Sequence, residues 1–330
     1  MTHQIIFIIV FVLTIGIFAY TVSKIAAFFR LTKPFPIRDI PKRIGIMLKV
    51  AIGQTKIFRF PLVGLAHALV FWGFLIVAFG SIEMVIDGLF GIEKSLAFLG
   101  GFYDFMMAIG DVFALLVAVS IIAFLIRRLV MHVSRLKGIE MKKVSKIDAN
   151  LALLAILFLM VSLIGMNTYY LVLNPNDAEG VYPVSAWLMA NFINVHTIHF
   201  NTAHFWFEFF WWSHIIIIFV FANALPYSKH FHVFMSVPNV FLCRLDELGK
   251  LDNMESVTKE VKMMMDPDAA FAEPAEGEEE TMERFGVKDV EDVTWKNYLD
   301  SLSCTECGRC TSVCPANITG KLLSPRKIIM

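Results

Sequence analysis

Residues 204–225 read HFWFEFFWWSHIIIIFVFANAL, a stretch in which Glu208 is the single residue charged at neutral pH. A helix of ~20 predominantly apolar residues crosses the ~30 Å hydrocarbon core of a bilayer, so this stretch predicts a membrane span. Four further stretches qualify on the same ground, from Gln4 to Phe29, Leu62 to Leu89, Tyr103 to Ile126 and Leu151 to Leu173. The apolar character of the fifth continues past Pro226 to about Ser236, which predicts a helix prolonged through His232. The first span lacks a basic n-region and a small-residue cleavage site, so it is expected to be an anchor and not a removed signal. The fold class predicted is an all-α membrane protein with a bundle of five transmembrane helices.

The composition agrees. Hydrophobic residues make up 57% of the 330 and charged residues only 18%, against a soluble average of about 25% charge. Lys and Arg number 29 and so do Asp and Glu, a balance that excludes a simple nucleic-acid binder. The basic residues are unevenly placed. Eight lie between Arg30 and Phe60 and seven between Arg127 and Ile147, but none between Lys146 and Lys229. Positive charge stays on the cytoplasmic side, which predicts an outside N-terminus and a cytoplasmic tail. Ile44 to Phe58 mixes apolar residues with Lys49 and Lys56 and fits either an interfacial helix or an ordinary connecting one.

The chain divides into three regions: a membrane domain over 1–238, a cytoplasmic linker over 239–292 and the start of an iron–sulfur module over 293–330. Between Asp266 and Asp292 stand eleven acidic residues against Arg284 and Lys288, the pattern of a solvated linker. Four of the five cysteines fall in the last 27 residues, as Cys304-Thr-Glu-Cys307-Gly-Arg-Cys310-Thr-Ser-Val-Cys314-Pro315. C-x2-C-x2-C-x3-C-P is the bacterial ferredoxin run. Its close spacing lets Cys304, Cys307 and Cys310 hold three corners of one [4Fe–4S] cube, and Cys314 is directed to another cluster. Structural zinc sites usually take two separated pairs, which this run is not. A second run would complete both cubes, so the chain is expected to continue beyond Met330 or to borrow a thiolate. Cys243, standing alone, reads as an apolar filler.

Histidines inside membrane helices are rare and usually functional. His67 lies in the second span and His214 in the fifth, with His232 eighteen residues further on. On one continuous helix that spacing is five turns, putting both on one face ~27 Å apart. Facing a bundle interior, such imidazoles can ligate haem iron. Glu83, Asp111 and Glu208 read as paired carboxylates more readily than as a proton path.

The stretch GQTKIFRFPLVGLAHALVFWGF around His67, the PYSKHFH segment ending at His232 and the tail TWKNYLDSLSCTECGRCTSVCPANITGK carry a family resemblance. The membrane part resembles the haem b subunit of respiratory nitrate reductase, and the tail resembles heterodisulfide-reductase-type proteins. Together they look like membrane iron–sulfur oxidoreductases of the electron-transfer-flavoprotein:quinone type. The resemblance implies a haem b between His67 and His232, with His230 as the substitute for His232. It implies a second haem at His214 only if another ligand is found, because Val77 stands where the family pattern has histidine. His204, His199 and His196 are the alternatives. Arg59 and Lys229 are placed beside the first haem, where they could orient a quinone carbonyl. The function implied is that of a quinone-linked electron-transfer subunit of a bacterial inner membrane, with a soluble flavoprotein or disulfide-reductase-like partner. The alternative is a non-catalytic membrane anchor that docks a soluble redox protein.

Overall fold

The computed structural model describes residues 2–131, 133–136, 143–175, 181–247, 249–250, 253–266 and 286–329. Five helices are long and apolar enough to cross a membrane: α1 (Thr2–Phe29), with α2 (Ile40–Met47) following as a short connector, then α3 (Pro61–Phe90), α4 (Gly101–Leu129), α5 (Lys143–Leu173) and, after the short α6 (Pro183–Phe192), α7 (Phe200–Ala224). They fall where the apolar runs predict them. α5 starts eight residues before the expected Leu151, because its polar first turns extend beyond the apolar run that hydropathy detects. Many large apolar side chains point outward, Leu13 and Phe209 among them.

The bundle core is built in two places. Ala114, Val117, Ala118 and Ile121 of α4 interlock with Leu153 and Met160 of α5, and Val70 and Val77 of α3 pack onto that cluster. Val77, at the position where the resembling family carries a histidine, is thus part of an apolar seam. Phe7 of α1 sits with Met84 of α3 and with Ile215 and Phe219 of α7 in the other cluster. The Phe7 ring fits there because residue 88 is glycine; a Cβ at Gly88 would come within 2.5 Å of it.

The expected continuation of the fifth span through His232 is not found. α7 ends in a 3-10 turn at Leu225–Tyr227, Ser228 is extended (φ −106, ψ 152), and a second 3-10 turn, Lys229–Phe231, leads into α8 (His232–Phe241). Proline has no N–H to give and its ring clashes with the carbonyl four residues back, so Pro226 cannot continue the helix. Ser228 then stabilises the new start, its Oγ accepting the His230 N–H at 3.1 Å. His214 and His232 therefore lie on different helices, and the shared-face geometry does not apply.

α2 continues through a π-helical turn at Leu48–Ile52 and packs on α8. Arg43 of α2 is buried and donates from Nη1 to the Phe241 and Cys243 carbonyls at 3.1 and 2.7 Å. The Phe241 carbonyl is at the C-terminal end of α8 and that of Cys243 lies just beyond it, where a cation is favourably placed. The helix Glu255–Met265, α9, comes next. Residues 267–285, which hold most of the acidic run, lie outside the described residues.

After them come α10 (Trp295–Leu302), α11 (Arg309–Ser312), α12 (Pro315–Ile318) and α13 (Pro325–Ile329). Among the described residues there is no strand, only one isolated parallel bridge between Lys33 and Thr294. That bridge seats α10 against the end of α1. Trp295 packs edge-on to Phe35 at 5.5 Å, and Tyr298 to Phe29 at 4.7 Å. Lys296 Nζ reaches Asn239 of α8 at 2.7 Å. The cysteine module is thereby fixed to one end of the bundle, hereafter the tail side.

Candidate functional site

Thr294 caps α10, accepting the Asn297 N–H while Asn297 Oδ1 accepts the Thr294 N–H. The helix ends at Leu302, and the cysteine loop begins. Cys304, Cys307 and Cys314 are half-buried and Cys310 is exposed. Burial pushes the Cys304 thiol up, with Cys307 and Cys310 close enough to add to the effect. Cys307 and Cys310 are near enough to act on Cys304, and Cys314 precedes α12 and Pro315. Among the described residues no three His, Cys, Asp or Glu side chains already form a closed metal-binding group. The donor set fits a cluster nonetheless: thiolates are its ligands, and Arg135, within electrostatic reach of Cys307 and Arg309, adds positive charge beside them.

Gly308 shows how tightly the loop is seated. Its φ is +72, and a Cβ would fall 2.6 Å from the Arg135 carbonyl oxygen. Glu306, the loop's other left-handed residue at φ +50, is held at both ends. Its carbonyl accepts from the buried Arg326 at 3.1 Å, and its Oε2 lies 2.7 Å from Lys229 Nζ. Ser145 completes that cluster, donating to Glu306. Sequence reading missed this pair. The one available signal was a carboxylate inside the cysteine run and a lysine just before the expected histidine pair.

Lys229 leads directly to the histidines. His232 Nδ1 donates to the Lys229 carbonyl at 3.0 Å, which places its proton on Nδ1 and leaves Nε2 with a free lone pair. A backbone carbonyl on the far nitrogen is the usual arrangement around a metal-bound imidazole. His230 stacks obliquely on His232 with ring centroids 5.8 Å apart. Burial, then the neighbouring His232, depresses His230 to about 4, and burial depresses His232 as well, so both are neutral at physiological pH. His67 is two turns into α3, within electrostatic reach of His232 and of Arg309 from the cysteine loop. Its Nδ1 is buried with no hydrogen-bond partner. Such an atom costs about 1–3 kcal/mol unless a group in the working protein satisfies it. His67 and His232 are the two imidazoles that would hold a haem on the tail side, if one binds there.

His214 is placed differently. It is 1% exposed, and its Nδ1 contacts the Leu159 carbonyl at 3.0 Å and Ser162 Oγ at 2.9 Å across the α5–α7 seam. His204, His199 and His196 are exposed at the opposite end of the bundle, and the structure does not bring them to His214. Arg59 is exposed, and Lys229 is committed to Glu306. Cys243 is half-buried and offers its carbonyl to Arg43.

The three carboxylates are engaged in the bundle itself. Asp111 accepts from Ser185 Oγ at 2.6 Å and from the Val184 and Ser185 amides at 2.8 and 3.0 Å, which pins the start of α6. Glu83 accepts from Tyr103 and from the Leu96 amide, beside a cavity of about 270 Å³ also lined by Phe7, Tyr182 and Trp211. Glu208 accepts from Trp212 Nε1 at 3.1 Å.

Residues 295–316 match the 4Fe-4S binding domain family. The chain is 27% identical over 330 residues to the probable iron-sulfur-binding oxidoreductase FadF of Bacillus subtilis, covering 99% of this chain and 42% of that protein. It is 26% identical over 294 residues to the EtfAB:quinone oxidoreductase of Syntrophomonas wolfei, covering 87% and 37% of the two. Its tail is 43% identical over 44 residues to a probable membrane-anchored ferredoxin of Chromohalobacter salexigens, 13% of this chain and 7% of that one. No solved structure matches. The chain thus spans about two fifths of the length of the first two relatives. Both are named oxidoreductases, and the likeness supports an iron–sulfur electron-transfer role in a protein with five helices of membrane-crossing length.

Proposed function

We propose that this chain carries electrons between a soluble redox protein and the membrane quinone pool, through [4Fe–4S] clusters at the cysteine run and a haem b between His67 and His232. The tail faces the cytoplasm of a bacterial cell and the bundle lies in its inner membrane, in line with the basic residues of the two tail-side loops. One observation carries the reading above the others. His232, with its Nδ1 held by the Lys229 carbonyl and its Nε2 left as the lone-pair donor, acts electrostatically on His67 at the end of the bundle where the cysteine loop is seated.

When bound, the haem and clusters supply one-electron carriers, and two electrons with two protons interconvert a quinone and its quinol. The protein's own residues set position. His232 is oriented by the Lys229 carbonyl, Gly308 lets the loop approach the Arg135 backbone, and Arg309 brings positive charge from the loop toward His67. An electron-transfer flavoprotein is the partner favoured, because a relative matched along most of this chain is named EtfAB:quinone oxidoreductase. We place one haem in the chain. His214 has its Nδ1 on the Leu159 carbonyl and Ser162, and among the described residues no second imidazole is seen to act on it.

The test is a visible difference spectrum of the purified protein, air-oxidised against menaquinol-reduced, with haem counted per chain. One haem b, reduced rapidly by the quinol, is the expected result. Protein without haem would reduce the chain to an anchor carrying a cluster.

A further inference from the structure

The cysteine loop and the histidine turn are joined by a short relay of contacts. Glu306 lies between Cys304 and Cys307, and its Oε2 is 2.7 Å from Lys229 Nζ. The pair is shielded from water, the side chains being 9% exposed for Lys229 and 16% for Glu306. Ser145 of α5 bonds both partners, so the ion pair is also held to the bundle. The Lys229 amide donates to Asp148 at 3.2 Å, and its carbonyl accepts from His232 Nδ1 at 3.0 Å. Every polar group of Lys229 is therefore engaged, and one of them fixes the imidazole. Breaking one partner of a shielded pair strands the other charge, so such a pair is a strong positional constraint. Glu306 also keeps a left-handed backbone that a non-glycine residue holds only when its surroundings impose it.

We infer that Glu306 and Lys229 are a positioning pair through which the cluster-binding loop sets the orientation and electrostatics of the haem ligand His232. This inference rests on the haem reading above and deepens it. The iron–sulfur loop then forms part of the outer shell of the haem site, and the two redox centres share one built element. The pair stands near the haem as two opposite charges that cancel. Removing one leaves the other uncompensated, and an uncompensated charge moves a neighbouring redox potential in the direction of its sign.

The experiment uses the full chain with its cofactors, in four forms: wild type, Lys229→Met, Glu306→Gln and the double variant. Haem per chain, iron and sulfide content, haem midpoint potential and the ferric haem paramagnetic-resonance spectrum are read from each. Lys229→Met leaves a bare carboxylate and is expected to lower the haem potential. Glu306→Gln leaves a bare ammonium and is expected to raise it. In the double variant the potential returns toward wild type, and the resonance changes because the imidazole is no longer constrained. A pair that only docks the module would shift both single variants in the same direction or in neither, and that result overturns the inference. Should a neutral variant fail to fold, Lys229→Arg and Glu306→Asp decide. They keep the charge and change the reach, so an altered resonance at near-unchanged potential supports the pair, and an unaltered resonance overturns it. Wild-type protein lacking haem overturns the proposed function along with the inference; haem-replete wild type with unmoved variants overturns the inference alone.

Discussion

His232 Nδ1 lies 3.0 Å from the carbonyl oxygen of Lys229, and this single bond decides which face of the imidazole remains for a ligand. With the proton held on Nδ1, Nε2 is the lone-pair donor. His67 reaches the same end of the bundle from α3 with an unsatisfied nitrogen of its own. Two axial ligands share one iron, so His67→Ala and His232→Ala are each expected to abolish the same haem band. His214→Ala and His230→Ala are expected to retain it. Reduced-minus-oxidised spectra of the four variants check this, and full haem in either of the first two contradicts the pairing.

The cysteines are expected to divide three against one. Cys304→Ala, Cys307→Ala and Cys310→Ala should each eliminate one paramagnetic-resonance signal, because the C-x2-C-x2-C spacing assigns these three thiols to one cube. Cys314→Ala should damage a different signal. An identical loss for all four would mean a single closed site.

Asp111 is 1% exposed and accepts from Ser185 Oγ, the Ser185 amide, the Val184 amide and Asn167. Removing the acceptor strands buried donors at roughly 1–3 kcal/mol each. Asp111→Ala is therefore expected to destabilise the bundle by about 3 kcal/mol or more, read as a lowered thermal midpoint in detergent. Haem content in the cold should stay at wild-type level, since Asp111 is at the end opposite His67. An unchanged midpoint would remove Asp111 from its tethering role.

Gly165 tests the α5–α7 seam. A Cβ there would meet the Phe210 ring at 2.8 Å. Overpacking of this kind costs about 1–3 kcal/mol, so Gly165→Ala should lower the thermal midpoint. Gly110→Ala, where a Cβ meets nothing within 4 Å, is the matched control and should leave it unmoved or higher.

What the sequence made readable was local. About twenty consecutive apolar residues announce a span wherever the chain goes, and the cysteine spacing states its chemistry within one short run. The His67 and His232 expectation came from resemblance, and the structure sets both residues at the tail side. Hydropathy could not register the break at Ser228, because the residues around Pro226 remain apolar even though the backbone turns. Nor could any local pattern pair Lys229 with Glu306 or Arg43 with Phe241. Those partners are 77 and 198 residues apart, and only the packing of α2, α5 and α8 brings them together. The buried role of Arg43 was hidden in plain view, counted as one more positive charge of a topogenic loop.

The bridge between Lys33 and Thr294 has a consequence for biosynthesis. It joins the segment that leaves the first span to the residue that begins the iron–sulfur module, so the chain must be made through Thr294 before it can form. Contacts of such long sequence separation form late, after shorter loops have closed. The cysteine run consequently meets this seat only after all five long helices have been synthesised. Iron and sulfide delivered before then would reach a loop not yet docked on the bundle.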